Sequence, residues 1–331
     1  MLTSAELQAL GLPAAQADKS VATDAADLPT AVGGGLNPQA GGRLPTACYW
    51  KLAVKEGADR AALKAALAAY RTASAAAKGS VHCAYSLTDD GEVLGVEVYD
   101  GPVAMDNHIG HCFPSYAQMM GAGAAMAEIV CVTDASEVEF WKGSLAAWGA
   151  PRVVVSAHDS VGAGAAAATL GAMASSQELQ ALGLPAAQAD KSVATDAADL
   201  PTAVGGGLNV QAGGRLPATV YWRMEVKEGA DRAALKAALA AYRAASAAAK
   251  GSVHCAHALT DGGEVVGIEV FNGPAAMDNH IGHCFPSWAQ MMPHVASAEI
   301  VCVPDASEVE FWKGSLAAWG APRVVVSAAE C

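Results

Sequence analysis

The sequence has little charge, few aromatic residues and no long run of strongly apolar residues. Of its 331 residues, 16% are charged and 6% aromatic, whereas 53% are hydrophobic. A disordered chain has low hydrophobicity and high charge, so this composition excludes disorder. The stretch richest in alanine and glycine, residues 161–174, is too short and too weakly apolar to cross a bilayer. We therefore expect a folded, soluble protein.

Positive charge is also scarce. Twenty lysines and arginines stand against 33 acidic residues, which gives a net charge of −13. Such a chain repels phosphate backbones and anionic lipid headgroups, so we expect neither nucleic acid nor a membrane surface as a partner. The first residues lack the basic and apolar regions of a signal peptide, and they recur inside the chain from Ser176. We therefore assign them to the folded module.

An internal duplication organises the chain. Residues Ser4–Ser156 recur as Ser176–Ser327, and one residue is lost where GAGAAMAE becomes PHVASAE. A repeat of this length holds its own core, so two tethered copies predict a covalent pseudo-dimer. The predicted parts are an arm at 1–46, a domain at 47–156, an Ala/Gly linker at 157–175, a second arm at 176–218 and a second domain at 219–327.

Hydrophobic periodicity and turn residues predict the same order of strands and helices in each copy, β-α-β-β-α-β-α-β. Within the irregular arm we predict one short helix and a hinge at the glycine triplet 33–35, and Pro114 is predicted to interrupt the second helix of the domain. The order is typical of an α+β sandwich with helices on one face of its sheet. The fold prediction is α+β, with two tandem ferredoxin-like domains that form an intramolecular pseudo-dimeric α+β barrel.

One segment of each copy resembles a known family. The segments are VEVYDGPVAMDNHIGHCF at Val96–Phe113 and IEVFNGPAAMDNHIGHCF at Ile268–Phe285. They resemble the antibiotic biosynthesis monooxygenase (ABM) family in an aromatic strand end, a short turn and a helix that carries a histidine. The resemblance covers residues 47–156 and 219–327. The resemblance implies a dimeric α+β barrel. The family includes oxygenases that act on aromatic polyketides or quinols without a cofactor.

A polar cluster lies within an otherwise apolar helix of each copy. Its members are Asn107, His108, His111 and Cys112, which recur as Asn279, His280, His283 and Cys284. Spacings of three and four residues place them on one helical face. His108 and His280 are the candidate general bases, since imidazole has a pKa of about 6.5. Asn107 and Asn279 are the candidate donors to an oxyanion. The alternative is a structural histidine that donates to a backbone carbonyl.

Aromatic residues predict the wall of a binding pocket. A strand residue such as Trp50 has one face toward the cavity or toward the core, and both readings stay open. Glu97, between apolar strand neighbours, is either an inward carboxylate or a solvated residue. The predicted substrate-binding residues are Trp50, Trp222, Tyr99, Phe271, His111 and His283.

Neither a metal nor a tightly bound cofactor is predicted. His-x-x-His-Cys on one helix converges poorly on an ion beyond two ligands, and a metal site needs three or four. The eight cysteines form no symmetric disulfide pattern, because Cys48 corresponds to Val220 and Cys331 stands alone at the end of the chain. This favours reduced thiols in a reducing intracellular compartment, with the organelle left open.

Two functions remain open at the level of the sequence. The first is an ABM-like monooxygenase that acts on a small aromatic or quinone-like compound. The second is a noncatalytic ligand-binding or scaffold protein that uses the same tandem barrel. Both readings allow further homo-oligomers. The discriminating feature is whether His108 and Asn107 open onto a cavity.

Overall fold

The computed structural model describes residues 1–24, 45–146, 148–158, 173–196 and 216–329. The predicted glycine hinge at 33–35 and most of the predicted linker lie outside these residues. Among the described residues, no helix combines the length and the hydrophobicity needed to cross a membrane. Every described cysteine is a free thiol.

The elements of the two copies correspond one to one. The first copy contains α1 (Ser4–Ala9), α2 (Ala14–Asp24), β1 (Thr46–Val54), α3 (Arg60–Ala76), β2 (Ser80–Leu87), β3 (Glu92–Tyr99), α4 (Pro102–Gly121), β4 (Ala124–Thr133), α5 (Val138–Ala146) and β5 (Arg152–Ala157). The second copy contains α6 (Ser176–Ala181), α7 (Ala186–Asp196), β6 (Ala218–Val226), α8 (Arg232–Ala248), β7 (Ser252–Leu259), β8 (Glu264–Phe271), α9 (Pro274–Met291), β9 (Val295–Val303), α10 (Val309–Ala317) and β10 (Arg323–Val326). Short 3-10 turns precede α5, β9 and α10.

Each copy forms a five-stranded mixed sheet. The order is β2-β3-β1-β4-β5 in the first copy and β10-β9-β6-β8-β7 in the second. Strand β1 pairs antiparallel with β3 and β4, whereas β5 pairs parallel with β4. Helix α3 begins where the Asp59 carboxylate accepts the backbone N–H groups of Ala61 and Ala62. The chain then turns into β2 at Gly79, whose φ of 77° is strained for any residue with a side chain.

The arm is more ordered than the sequence predicted. Its residues 14–24 form helix α2, which packs with α1 against α4. Leu7, Leu12 and Ala17 are buried there, and Gln16 donates to Asp106 at 2.8 Å. The prediction of an irregular segment was wrong for residues 14–24. The reason is that alanine-rich helices show little hydrophobic periodicity, so the helix depends on tertiary contact with α4.

Helix α4 runs through Pro114 without a break, which corrects the predicted interruption. A proline removes the hydrogen bond to the carbonyl four residues earlier, here that of Gly110. In the second copy the equivalent carbonyl, that of Gly282, accepts the backbone N–H of Ala174 at 3.3 Å. The Met173 side chain also lies against Gly282, so a Cβ at that position would have no room. The segment before α6 thus supplies a hydrogen-bond donor to the carbonyl that Pro286 leaves without its helical partner.

The two sheets pack face to face and form the predicted intramolecular pseudo-dimeric barrel. Tyr49 of β1 stacks on Tyr221 of β6, its counterpart in the repeat, with ring centroids 3.9 Å apart and planes 5° apart. The apolar layer between the sheets includes Leu94, Val96, Val98, Val130, Val266, Ile268, Val270 and Val301. This interface removes from water the sheet face that the helices leave uncovered.

Charged side chains join the two sheets at one edge of the interface. Arg152 of the first copy pairs with Glu264 of the second, and Arg323 of the second copy pairs with Glu92 of the first at 3.0 Å. The two pairs are equivalent in the repeat. Partly exposed ion pairs contribute little net stability, so their main effect is to fix how one sheet is aligned on the other.

Three buried histidines lie between the copies. The His82 imidazole hydrogen-bonds the Thr219 hydroxyl at 2.7 Å, and His158 hydrogen-bonds the Pro45 carbonyl at 3.1 Å. The His254 ring lies 6.5 Å from that of His158. Burial lowers the pKa of His82 and His158 to about 4 and that of His254 to about 3. The interface therefore holds these imidazoles uncharged.

We expect the barrel to lose stability as the pH falls from about 6.5 to about 4. An unfolded histidine binds its proton below a pKa of about 6.5, whereas these histidines bind it only near pH 4. The unfolded state therefore holds more protons than the folded state in this window. As a result, the free energy of unfolding decreases as the pH decreases. Urea unfolding of His82→Gln across this range would show a slope smaller by up to about 1.4 kcal/mol per pH unit. His294→Gln, outside the interface, is the control, and equal slopes in wild type and His82→Gln would contradict the expectation.

Candidate active site

A buried carboxylate, Glu97, lies at the centre of the first copy's helix-facing core and is 3% exposed. It accepts hydrogen bonds from the hydroxyls of Tyr85 at 2.7 Å, Tyr70 at 3.2 Å and Tyr99. Nε2 of His108 lies 3.0 Å from the same carboxylate. Four donors from a sheet and two helices therefore converge on one acceptor, which offsets the cost of burying its charge.

Strand alternation places this carboxylate. Val96 and Val98 face the other copy's sheet, so Glu97 between them faces the helices. Gly95, on the same side as Glu97, lies directly against the Trp50 ring, where a Cβ would overlap the indole. Of the two readings that the sequence left open for Glu97, the structure shows the inward one.

The Glu97–His108 pair is charged. Burial raises the pKa of Glu97, but the His108 imidazolium and the hydrogen bonds from His108, Tyr99 and Tyr85 outweigh it and hold the pKa below its usual value. Burial lowers the pKa of His108, but Cys112 and Glu97 raise it to about 10. At neutral pH the proton is therefore on His108 and the negative charge on Glu97.

The three tyrosines around Glu97 act as neutral donors. Burial, together with the nearby Glu97 charge, raises the pKa of Tyr70, Tyr85 and Tyr99 well above the usual value for tyrosine. In the case of Tyr85 the neighbouring Cys83 also contributes. A neutral phenol keeps its proton and donates a hydrogen bond to the carboxylate. The negative charge therefore stays on Glu97.

A pocket borders the pair on the side of β1 and α5. It contains about 400 Å³ of space between atoms, including its mouth. Its closed interior has room for about two water molecules, so a larger ligand needs side chains to move. Trp50 Nε1 is buried at this pocket and has no hydrogen-bond partner within the described ranges. The lining residues are Cys48, Trp50, Tyr70, Glu97, Met105, His108, Tyr116, Met126, Ile129, Leu145 and Trp148.

Some of the predicted site residues line the pocket and others lie away from it. His108 and Trp50 line the pocket, whereas Tyr99 lies behind Glu97 and hydrogen-bonds it. Asn107 lies on another side of α4, where its Oδ1 accepts the backbone N–H of Lys78 at 2.7 Å. His111 is half-buried and is not among the residues that line the pocket.

The second copy repeats Glu97 as Glu269 in different surroundings. His257 stands where the first copy has Tyr85 and contacts Glu269 at 2.9 Å, whereas His280 lies 3.4 Å away. Phe271 replaces Tyr99 and has no hydroxyl to donate. Burial raises the pKa of Glu269 and lowers that of His280 to about 4. The second copy thus favours an uncharged pair, the opposite of the first.

The counterparts of Trp50 and Asn107 complete this comparison. Trp222 Nε1 donates to Glu269 at 3.1 Å, so the indole that is unpartnered in the first copy is satisfied in the second. Asn279 accepts the backbone N–H of Lys250 at 2.6 Å, as Asn107 does with Lys78. His283 is buried near the middle of α9. The two asparagines thus have the same helix-to-strand contact in both copies.

Among the described residues, the one cluster with three possible metal ligands lies at the same carboxylate. Ligand atoms of Cys83, Glu97 and His108 lie within 4.8 Å of one another. However, Glu97 is already satisfied by four donors, and burial raises the pKa of the Cys83 thiol, which disfavours the thiolate that binds metals. Cys83 lies on β2 and His108 on α4, so the two side chains meet only in the fold.

Tyr70 and Tyr85 are the functional-site residues that the sequence analysis missed. Tyr70 lies on the apolar stripe of α3 and Tyr85 on a strand with both faces buried, so each is indistinguishable from a core residue by pattern. The one available signal was Glu97, a carboxylate in an apolar strand that needs buried donors if it faces inward.

Comparison with known proteins gives structural neighbours of low similarity. No family model and no curated protein matches the chain. A "putative monooxygenase" from Lactobacillus acidophilus is 13% identical, with a TM-score of 0.40 over 77% of this chain and 91% of that one. An anthrone oxidase-like protein is 12% identical, with a TM-score of 0.33 over 77% and 89%. A mutant chlorite dismutase from Candidatus Nitrospira defluvii is 8% identical, with a TM-score of 0.35 over 77% and 87%.

The class of the protein follows from its own strands and contacts. It is a tandem α+β barrel in which each copy has a buried carboxylate between sheet and helices.

We expect Glu97→Gln to lower the pKa of His108 from about 10. Without the carboxylate, only Cys112 still opposes the effect of burial, so the protonated imidazole loses part of its stabilisation. NMR titration of the His108 ring would measure the change. Removing one member of a buried ion pair also costs about 3–5 kcal/mol of stability. Glu269→Gln is the control, and an unchanged His108 pKa in Glu97→Gln would contradict this assignment.

Proposed function

We propose that the protein is an oxygenase that acts, without a tightly bound cofactor, on a small aromatic or quinone-like compound in the first copy's pocket. The observation that carries the proposal is the Glu97–His108 pair, which borders a mainly apolar pocket beside an unpartnered indole N–H. A buried acid–base pair at the wall of a cavity is the usual arrangement of a proton-transfer site.

The pocket wall favours a flat, mostly apolar ligand. Met105, Ile129 and Leu145 supply apolar surface, and Trp50 supplies a ring face and an edge N–H. Because the Trp50 N–H has no acceptor of its own, a carbonyl or phenolic oxygen of the ligand gains a hydrogen bond there without displacing another one. A small aromatic ketone, phenol or quinol meets both conditions.

Proton transfer falls to the pair rather than to His108 alone. With His108 protonated, the base in the pocket is the Glu97 carboxylate. It takes a proton from an activated C–H or O–H of the substrate. The imidazolium of His108 and the Trp50 N–H then stabilise the substrate anion. Asn107 holds α4 against the start of β2 and so has a positioning role in this proposal.

The substrate itself supplies the electrons for oxygen. In a substrate with an activated methylene, two C–H bonds break and one C=O bond forms, according to RCH₂R′ + O₂ → RC(O)R′ + H₂O. One oxygen atom enters the product, and the other leaves as water with the two hydrogens of the methylene. The deprotonated substrate is the reductant, so the balance needs no external reductant.

One observation favours the alternative of a noncatalytic ligand-binding protein. All hydrogen-bond donors around Glu97 are satisfied without a ligand, and the closed interior is small. Such a site binds a ligand by rearranging its wall and does not by itself require a reaction. The same pocket serves in both proposals, so activity decides between them.

We expect the wild-type protein to consume oxygen with anthrone or 1,4-naphthohydroquinone. The Glu97→Gln and His108→Gln variants should lose on the order of 100-fold or more in kcat, since a positioned acid–base group contributes at least this much. An oxygen electrode measures the rate. Glu269→Gln and His280→Gln are matched controls from the second copy.

The outcomes separate the two functions. Equal oxygen uptake in wild type and in folded Glu97→Gln and His108→Gln would refute the assigned mechanism. Binding of these compounds to the wild type without oxygen uptake would favour the ligand-binding protein. Circular dichroism of each variant establishes that a lost rate is not a lost fold.

A further inference from the structure

A second cavity lies outside the pocket, between the arm and α4. It contains about 520 Å³ of space between atoms, and we call it the vestibule. The arm contributes Gly11, Leu12, Pro13 and Gln16 to its wall. Tyr116 and Trp148 line both the vestibule and the pocket. These two rings therefore separate the two spaces.

The two rings meet edge to face. Their centroids are 4.7 Å apart with planes 84° apart, and both side chains are half-buried. Phe113 packs beside them, with its ring 5.8 Å from Tyr116 and 6.0 Å from Trp148. Within the described ranges no hydrogen bond joins Tyr116 to Trp148, so the contact between the two side chains is one of ring packing. Because no hydrogen bond between them has to break, the two rings can move apart by side-chain rotation.

The second copy has a bulkier and better-held arrangement at the same place. Trp288 replaces Tyr116 and is 2% exposed. Its ring lies 4.6 Å from Trp319, the counterpart of Trp148, and its Nε1 donates to the Trp319 carbonyl at 3.3 Å. The Trp288 ring also reaches to 5.5 Å from Trp222, the counterpart of Trp50. Trp288 thus occupies space next to Trp222, whose counterpart Trp50 lines the first copy's pocket.

The indole N–H groups at the inner ends of the two sites also differ, and again the second copy is the less open to a ligand. Trp50 Nε1 in the first copy is buried and unpartnered within the described part of the chain, whereas Trp222 Nε1 donates to Glu269. A ligand that enters the first copy gains a hydrogen bond at the indole. A ligand in the second copy would have to displace both Trp288 and the bond to Glu269.

We propose that Tyr116 and Trp148 form an aromatic gate between the vestibule and the first copy's pocket, and that Trp288 keeps the equivalent gate of the second copy closed. The chain then takes up one flat aromatic ligand with a hydrogen-bond acceptor, not two. This rests on the pocket of the proposed function as the binding site, but it requires no reaction there. It changes the sequence expectation of one site in each copy.

Exchange of the two gate residues tests this. Equilibrium dialysis with 1-naphthol should give one molecule bound per chain for the full-length wild type. Tyr116→Trp should weaken binding at least tenfold, because the larger ring fills the gate. Trp288→Tyr should add a second, weaker binding site, because the Trp222 N–H there is still bonded to Glu269. Each variant carries the residue that the other copy already holds at that position, so both are expected to fold.

Each outcome bears on the gate. Two sites in the wild type, unchanged binding by Tyr116→Trp, or a single site in Trp288→Tyr would each overturn it. Absence of 1-naphthol binding by the wild type would also overturn it, and oxygen uptake then decides separately on the proposed function. Trp312→Phe, which changes a buried tryptophan outside the gate, is the control and should leave the stoichiometry at one.

Discussion

Each sheet has one face covered by its own helices and one face that only the other copy covers. The rest of the structure depends on this constraint, because a sheet buried on both faces allows a strand residue such as Glu97 to lie far from water. The Tyr49–Tyr221 stack and the valine-rich layer around it hold the two faces together. Tandem duplication supplies the second sheet within the same chain, so association carries no concentration dependence.

Duplication also left two versions of one site, and small substitutions decide their electrostatics. Glu97 and Glu269 are equally buried, yet three hydroxyl donors surround the first, while a phenylalanine and a histidine replace two of them in the second. A buried carboxylate keeps its charge only where donors and a cation offset desolvation. The first copy meets this condition, whereas in the second the pKa of Glu269 is raised and that of His280 is lowered, so the same pair is shifted in opposite directions in the two copies.

The sequence predicted the architecture better than the site. Strand and helix order followed from periodicity, and two of the predicted site residues, His108 and Trp50, line the same pocket. Asn107 was expected beside His108 in the chemistry, but adjacent helix residues point about 100° apart, and Asn107 faces the start of β2. Helix α2 and the unbroken course of α4 through Pro114 escaped prediction, because each depends on contacts with segments distant in the chain.

The sequence by itself determined the duplication, the strand alternation that sets Glu97 opposite its valine neighbours, and the pairing of two α+β units. These are local or periodic properties, so they can be read along the chain. Only the tertiary structure decided that Tyr70, Tyr85, Tyr99 and His108 meet at one carboxylate, that the arm walls a vestibule, and that Trp288 fills space that Tyr116 leaves. Such meetings depend on how separate elements pack, and packing distances between elements leave no trace in residue spacing.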